Sequence, residues 1–220
     1  FDYFHIYTNV KIKDDMSKID FFPSSSLALE NLTVSRGTNK IFSDFSYTFT
    51  NGNFYLIHGS NGIGKTTLLR TIAGIIHPVM GKVLYNSMPI NSNFREFVKN
   101  INYIGHSNGL SPLLSVKSNL ETWNETNGNN NKISLALKTL KIHKLISLLV
   151  KDLSSGQQRR VALSRLLLCR KNIWILDEPL NGIDLQTAEI FKNIILEQLN
   201  NNGIIIMSSH QKFDFSGKHK

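Results

Sequence analysis

Eight consecutive residues, Gly59-Ser60-Asn61-Gly62-Ile63-Gly64-Lys65-Thr66, have the spacing G-x4-G-K-[ST]. Glycines so placed let successive backbone N–H groups turn inward around an anion, and the lysine adds a full charge to the partial charges of the amides. The threonine hydroxyl that follows is a hard oxygen suited to Mg2+, and Thr67 extends the run. This is the chemistry of a cradle for β and γ phosphates, so the ligand read from the loop is a nucleoside triphosphate with magnesium. Farther along, the apolar run Ile173-Trp174-Ile175-Leu176 ends in Asp177-Glu178. An acid at the carboxyl end of a buried parallel strand lies where ligands collect in open α/β sheets, which suits Asp177 to magnesium, directly or through water. Glu178, one residue beyond, is placed to take a proton from an attacking water as general base. Loop and acids together permit a kinase, a GTPase or a motor.

The apolar pattern indicates the elements that must position these groups. Phe54-Tyr55-Leu56-Ile57-His58 is a short buried strand running into the glycine loop, and residues 66–76 read as the helix after it. The helix start turns its positive dipole end toward the same anion. Before this unit, Leu27, Leu29, Leu32 and Val34, then Phe45, Tyr47 and Phe49, alternate with polar residues as half-buried strands of an antiparallel β layer. Residues 81–85 and 101–105 read as further strands. From His106 the period changes: residues 115–123 and 133–150 carry apolar side chains at helical spacing around Gly128-Asn129-Asn130-Asn131, marking a helical subdomain at about 108–155. Helix 156–169, strand 173–176, helix 185–199 and strand 204–207 then alternate, so the fold class is α/β. Residues 1–26 have no clean period and end in Pro23-Ser24-Ser25-Ser26, the pattern of a flexible tail joined to a domain over 27–220.

Composition bounds these readings. A chain of 220 residues buries roughly 70% of its unfolded surface, and 41% hydrophobic against 19% charged residues excludes a disordered chain. No run approaches the roughly 18 apolar residues of a bilayer span. The single cysteine, Cys169, forbids an intramolecular disulfide. Lys and Arg exceed Asp and Glu by 25 to 16, giving +9, which favours phosphate-bearing ligands, anionic lipid or nucleic acid. Asn and Ile at 24 each belong, with Lys, to A/T-rich codons, and that bias accounts for part of the basicity.

Leu153-Ser154-Ser155-Gly156-Gln157-Gln158-Arg159-Arg160 narrows the choice. The run resembles the signature motif of ATP-binding cassette (ABC) ATPases, usually L-S-G-G-Q, with Ser155 in place of the first glycine. It opens a helix, so the Ser154 hydroxyl and the amides near Gly156 can face a γ-phosphate. The resemblance implies a P-loop, ABC-type nucleotide-binding domain that hydrolyses ATP with Mg2+. It implies that Gly59, Ser60, Asn61, Gly62, Ile63, Gly64, Lys65, Thr66 and Thr67 bind the nucleotide, that Thr66 and Asp177 hold the metal, and that Lys65 and Glu178 serve catalysis. By the same resemblance Ser154, Ser155, Gly156 and Gln157 serve the nucleotide of a second copy in a head-to-tail dimer. Leu180-Asn181-Gly182-Ile183-Asp184 stands at the D-loop, and His210 in Ser208-Ser209-His210 resembles the switch histidine on the γ-phosphate. Two positions depart from the pattern. Ser107 stands at the glutamine of the Q-loop, too short to reach magnesium in the same way. Arg36 stands where many members stack an aromatic on adenine, and its planar guanidinium can stack there instead.

Several stretches are similar to the ATPase subunit of the cytochrome c maturation haem exporter: Asn31-Leu32-Thr33, Arg36-Gly37, Tyr103-Ile104-Gly105-His106, the run from Gly156 to Leu163, and Trp174 to Pro179. This resemblance implies export linked to haem delivery for c-type cytochromes, with multi-span membrane subunits as partners and no nucleic acid. It also implies a peripheral place on an inner membrane, on the cytoplasmic face in a bacterium or the matrix face in a mitochondrion. The alternative is a soluble ABC ATPase acting on nucleic acid, ribosomes or iron–sulfur assembly, for which the +9 charge is mild support.

Overall fold

The computed structural model describes residues 5–8, 22–123 and 130–210. Its elements in chain order are β1 (His5–Thr8), β2 (Ser26–Arg36), β3 (Asn39–Thr50), β4 (Phe54–His58), α1 (Lys65–Ile72), β5 (Met80–Tyr85), β6 (Met88–Pro89), α2 (Phe94–Asn100), β7 (Ile101–Ile104), α3 (Val116–Glu121), α4 (Asn130–Thr139), α5 (Ser155–Leu168), β8 (Ile173–Asp177), α6 (Leu185–Asn200) and β9 (Ile204–Ser208). One sheet has the order β1-β4-β9-β8-β7, parallel except for β1, and the other is antiparallel in the order β3-β2-β5-β6.

The central strands are apolar without interruption because both faces are covered. Tyr55, Ile57, Ile173, Ile175, Ile204 and Ile206 face the antiparallel layer and α1, packing with Leu27, Leu29, Leu68 and Ile72. Phe54, Leu56, Trp174, Leu176, Ile205 and Met207 face the other way, onto a core that includes Leu137, Val161 and Ile195. Period-two alternation thus splits each strand between two cores. In β2 the spacing jumps from Leu29 to Leu32, and the structure shows why: the register shifts there and Asn31 has φ 48°, a bulge that keeps all of Leu27, Leu29, Leu32 and Val34 buried.

Three readings are corrected. Within the expected tail, His5–Thr8 pairs antiparallel with β4, and Phe22 is buried, its N–H donating to Asn201 O at 3.2 Å. An edge strand of four residues is too short to show a period; residues 9–21 lie outside the described ones. The helix read over 133–150 ends at Thr139, since Lys141 takes φ 55° and the Ile142 N–H turns back to Leu137 O at 2.8 Å. The apolar residues beyond fall in 3-10 turns at His143–Leu145 and Val150–Asp152. The helix read over 66–76 is α1, which stops at Ile72; Gly74 has φ 73°, and the Ile75 N–H returns to Arg70 O at 2.8 Å. α2 passed unread because only Phe97 of its seven residues is buried.

Candidate active site

In the parallel sheet β4, β9 and β8 are adjacent, so the loop after β4, the acids ending β8 and the residues ending β9 meet at one edge. Ile57 and Asp177 both pair with Ser208. The turn into α1 needs Gly64: its φ is 108°, and a Cβ there would come within 2.5 Å of Ile41 Cγ2. α1 begins at the next residue, Lys65, leaving the amides of its first turn directed into the loop.

A chain of polar contacts links the groups read from sequence. Lys65 Nζ donates to Gly59 O at 2.7 Å and Ser60 O at 3.0 Å, and lies 3.3 Å from His210 Nδ1. An ammonium only donates, so Nδ1 is the accepting nitrogen and Nε2 carries the hydrogen. That Nε2 lies 3.0 Å from Glu178 Oε1, close but not aligned as a hydrogen bond. Ser208 Oγ donates to Asp177 Oδ1 at 2.8 Å and accepts the Glu178 N–H at 3.0 Å, setting the two acids side by side. Glu178 has φ 48°, a strained backbone for a residue with a Cβ, at the position that carries the proposed chemistry. Burial pulls the Lys65 pKa below its usual value, with the Glu178 and Asp177 carboxylates acting in the opposite direction.

A cavity of about 700 Å³ opens on these groups, lined by Arg36, Asn61, Gly62, Gly64, Lys65, Thr66, Thr67, Glu178 and His210 from the expected set. Gly59, Ser60, Ile63 and Asp177 do not line it, and neither do Ser154, Ser155, Gly156 and Gln157. The signature residues instead form the exposed start of α5: Ser154 Oγ accepts the Gln157 N–H at 3.3 Å and Gln157 Oε1 accepts the Ser154 N–H at 2.9 Å, a capping box. Gly156 packs on the D-loop, where a Cβ would meet Gly182 O at 2.7 Å.

The oxygens present fit Mg2+. Asp177 Oδ2 is buried and accepts no hydrogen bond among the described residues, while its partner oxygen is fixed by Ser208. No group of three or more His, Cys, Asp or Glu side chains able to hold a metal occurs among the described residues. An ion held here would draw its remaining ligands from phosphate and water, as Mg2+ commonly does.

A profile of the family described as ABC transporter matches residues 42–181. The chain belongs to the ABC transporter family. It is 38% identical over 86% of its length to the cytochrome c biogenesis ATP-binding export protein CcmA of Histophilus somni strain 129Pt, covering 88% of that protein. It is 35% identical to the protein of the same name from Haemophilus influenzae strain ATCC 51907, over 90% of this chain and 95% of the other. Among solved structures it superposes with TM-score 0.73 on a putative ABC transporter ATP-binding protein from Pyrococcus furiosus, at 30% identity, over 86% of this chain and 94% of that one. The chain is thus an ABC-type ATP hydrolase of P-loop α/β fold with an antiparallel β layer and helices beyond it.

Three residues that matter to this ABC site were not assigned roles from sequence. Ser208 bridges the two acids, and the signal available was its place in register with Asp177 on the neighbouring strand. His106, next to the departure at Ser107, lines the cavity together with Glu178, whereas Ser107 is exposed and does not. Arg159 follows the signature and is only 4% exposed. Its Nε donates to Pro179 O at 3.0 Å, Nη1 to Gly105 O at 2.8 Å and Asn108 Oδ1 at 3.2 Å, and Nη2 to Asp177 O and Glu178 O, both at 2.9 Å. Burial lowers its pKa, opposed by the Asp177 and Glu178 carboxylates.

Proposed function

We propose that the chain is the ATP-hydrolysing subunit of an export complex for cytochrome c biogenesis, driving the haem exporter. The observation that supports the hydrolytic part is the contact series from Lys65 through His210 to Glu178, with Asp177 beside it, facing one cavity that begins at a phosphate loop. The export assignment draws on relatives at 33–38% identity bearing the cytochrome c biogenesis export name. The soluble alternative draws only on the +9 charge and is not favoured by these relatives.

In this reading the amides of residues 59–67 and the Lys65 ammonium bind the triphosphate, whose oxygens replace the loop carbonyls as partners of Nζ. Arg36, on the cavity wall, stacks on the base. Thr66 and Asp177 would hold Mg2+, which would supply charge neutralisation to the triphosphate. Glu178 accepts the proton of the attacking water, and His210 holds the γ-phosphate once the nucleotide separates its ring from Lys65. Ser154, Ser155, Gly156 and Gln157 act on the nucleotide of a second copy, so that two chains enclose two ATP molecules head to tail. The ATPase domain is residues 27–220 together with His5–Thr8 and Phe22, which pack onto it, and the helical subdomain lies at about 108–155. No helix among the described residues is long and apolar enough to cross a membrane. The chain is peripheral to multi-span partners on an inner membrane, at the cytoplasmic face or, in a mitochondrion, the matrix face.

Glu178→Gln keeps the shape but removes the base. Hydrolysis is expected to fall on the order of 10²- to 10⁴-fold while ATP still binds. The check is steady-state phosphate release beside binding of a fluorescent ATP analogue; near-normal turnover removes Glu178 from this role.

A further inference from the structure

We propose that Arg159 is a positioning residue for hydrolysis, holding the backbone of Asp177 and Glu178 to the 105–108 loop and to the signature helix so that the three move as one body. A guanidinium has five N–H donors in one plane, and here all five are used, on acceptors from two separate segments, 177–179 and 105–108. Two of the acceptors are the carbonyls of Asp177 and Glu178. The Glu178 N–H is already held by Ser208, so both ends of this residue's φ 48° backbone are pinned, and the strain has an identifiable restraint.

The second segment gives the restraint a consequence. Gly105 O and Asn108 Oδ1 bracket His106 and Ser107, and Ser107 is too short to connect the loop to the metal through its own side chain. The Arg159 fork joins that loop to the catalytic acids through the backbone instead. A shift of residues 105–108 pulls on Nη1, and the same rigid plane carries the pull to Nη2 and the Glu178 carbonyl. A lysine cannot do this: its compact ammonium can meet some of these acceptors but offers no planar fork across them.

The inference rests on Glu178 being the base, and the test separates the two. The full chain is purified with the membrane proteins that accompany it. For Arg159→Lys, kcat is expected to fall roughly 10- to 100-fold, the scale of an ångström-sized misplacement of a catalytic group. Binding of the fluorescent ATP analogue should stay within about twofold, since no phosphate or base contact is removed. Asn108→Ala removes one acceptor from the loop and leaves the core intact; its kcat is expected to fall about threefold at unchanged affinity. Unchanged kcat in a folded Arg159→Lys chain, or a fall in kcat matched by an equal loss of affinity, overturns the proposal. If Arg159→Lys does not fold, Asn108→Ala decides alone, and wild-type kcat there overturns it. Glu178→Gln assayed beside them reports on the base itself: normal turnover in that variant defeats the base reading whatever the Arg159 and Asn108 variants do.

Discussion

The loop-facing cavity and the start of α5 both offer phosphate chemistry, yet their polar groups are satisfied in opposite ways. In the cavity Lys65, His210 and Glu178 contact one another across three separate elements, and Asp177 keeps a buried oxygen without a hydrogen bond. At α5 the Ser154 and Gln157 side chains close only on each other, and the Ser154 side chain faces solvent. The first region is a site wired together over long sequence separations. The second is a locally finished helix end with nothing of its own chain's loop in reach of its role. A half-site that gathers its partners in cis, beside a motif that gathers none, is what a composite site divided between two copies requires.

The largest effect that sharpens this contrast belongs to Lys65→Ala. Losing a charged donor to the triphosphate is expected to weaken ATP binding by roughly 100-fold, read by titration of the fluorescent analogue. Because burial lowers the Lys65 pKa, the charged form opposes folding below the folded value, and this opposition fades as pH rises toward 10.5. Thermal melting of the nucleotide-free variant, which also loses the Nζ hydrogen bonds to Gly59 O and Ser60 O, separates lost binding from lost fold. Unchanged affinity would mean that the loop is not the phosphate cradle.

A smaller effect probes the D-loop side of the comparison. Asp184 caps α6, with Oδ1 accepting the Thr187 N–H at 2.8 Å, and this backbone hydrogen bond is the main cause that lowers its pKa from 3.8. Its contribution is present above 3.8 and is lost as pH falls through the lower folded value. Asp184→Ala is expected to cost about 1 kcal/mol at neutral pH, and Asp184→Asn much less, since Asn caps nearly as well. Urea unfolding at neutral pH and at about pH 3 checks this; the Asp184→Ala deficit should shrink in acid. A deficit independent of pH would show that the carboxylate charge takes no part in the cap.

Legibility in the sequence follows the same division. Gly59 to Thr66, Asp177 and Glu178 announce themselves because each role demands a residue type at a fixed local spacing, and the structure brings them to one sheet edge. The buried strands 54–58, 173–177 and 204–208 are legible because both faces are apolar. Ser208 and Arg159 carry equal structural weight but act through pairings set by strand register and helix packing, which no local spacing reveals. Residues 140–150 read as helix because Leu145 and Leu148 keep the period, and the single left-handed residue Lys141 breaks it with no glycine to signal the turn. His5–Thr8 is an edge strand whose pairing to β4 comes from backbone groups rather than an apolar pattern.

The division of the site between two copies is tested most directly by complementation. A chain carrying Ser154→Arg and a chain carrying Lys65→Ala are given different affinity tags, co-expressed and purified as the mixed dimer. The mixed dimer retains one composite site, built from the Lys65 of the first chain and the signature of the second, whereas neither homodimer retains any. The arginine fills the γ-phosphate position at the partner's site and leaves its own chain's loop untouched. The account predicts ATP hydrolysis in the mixed dimer well above both homodimers and at most roughly half of wild type. Activity equal to the average of the two inactive parents would contradict it.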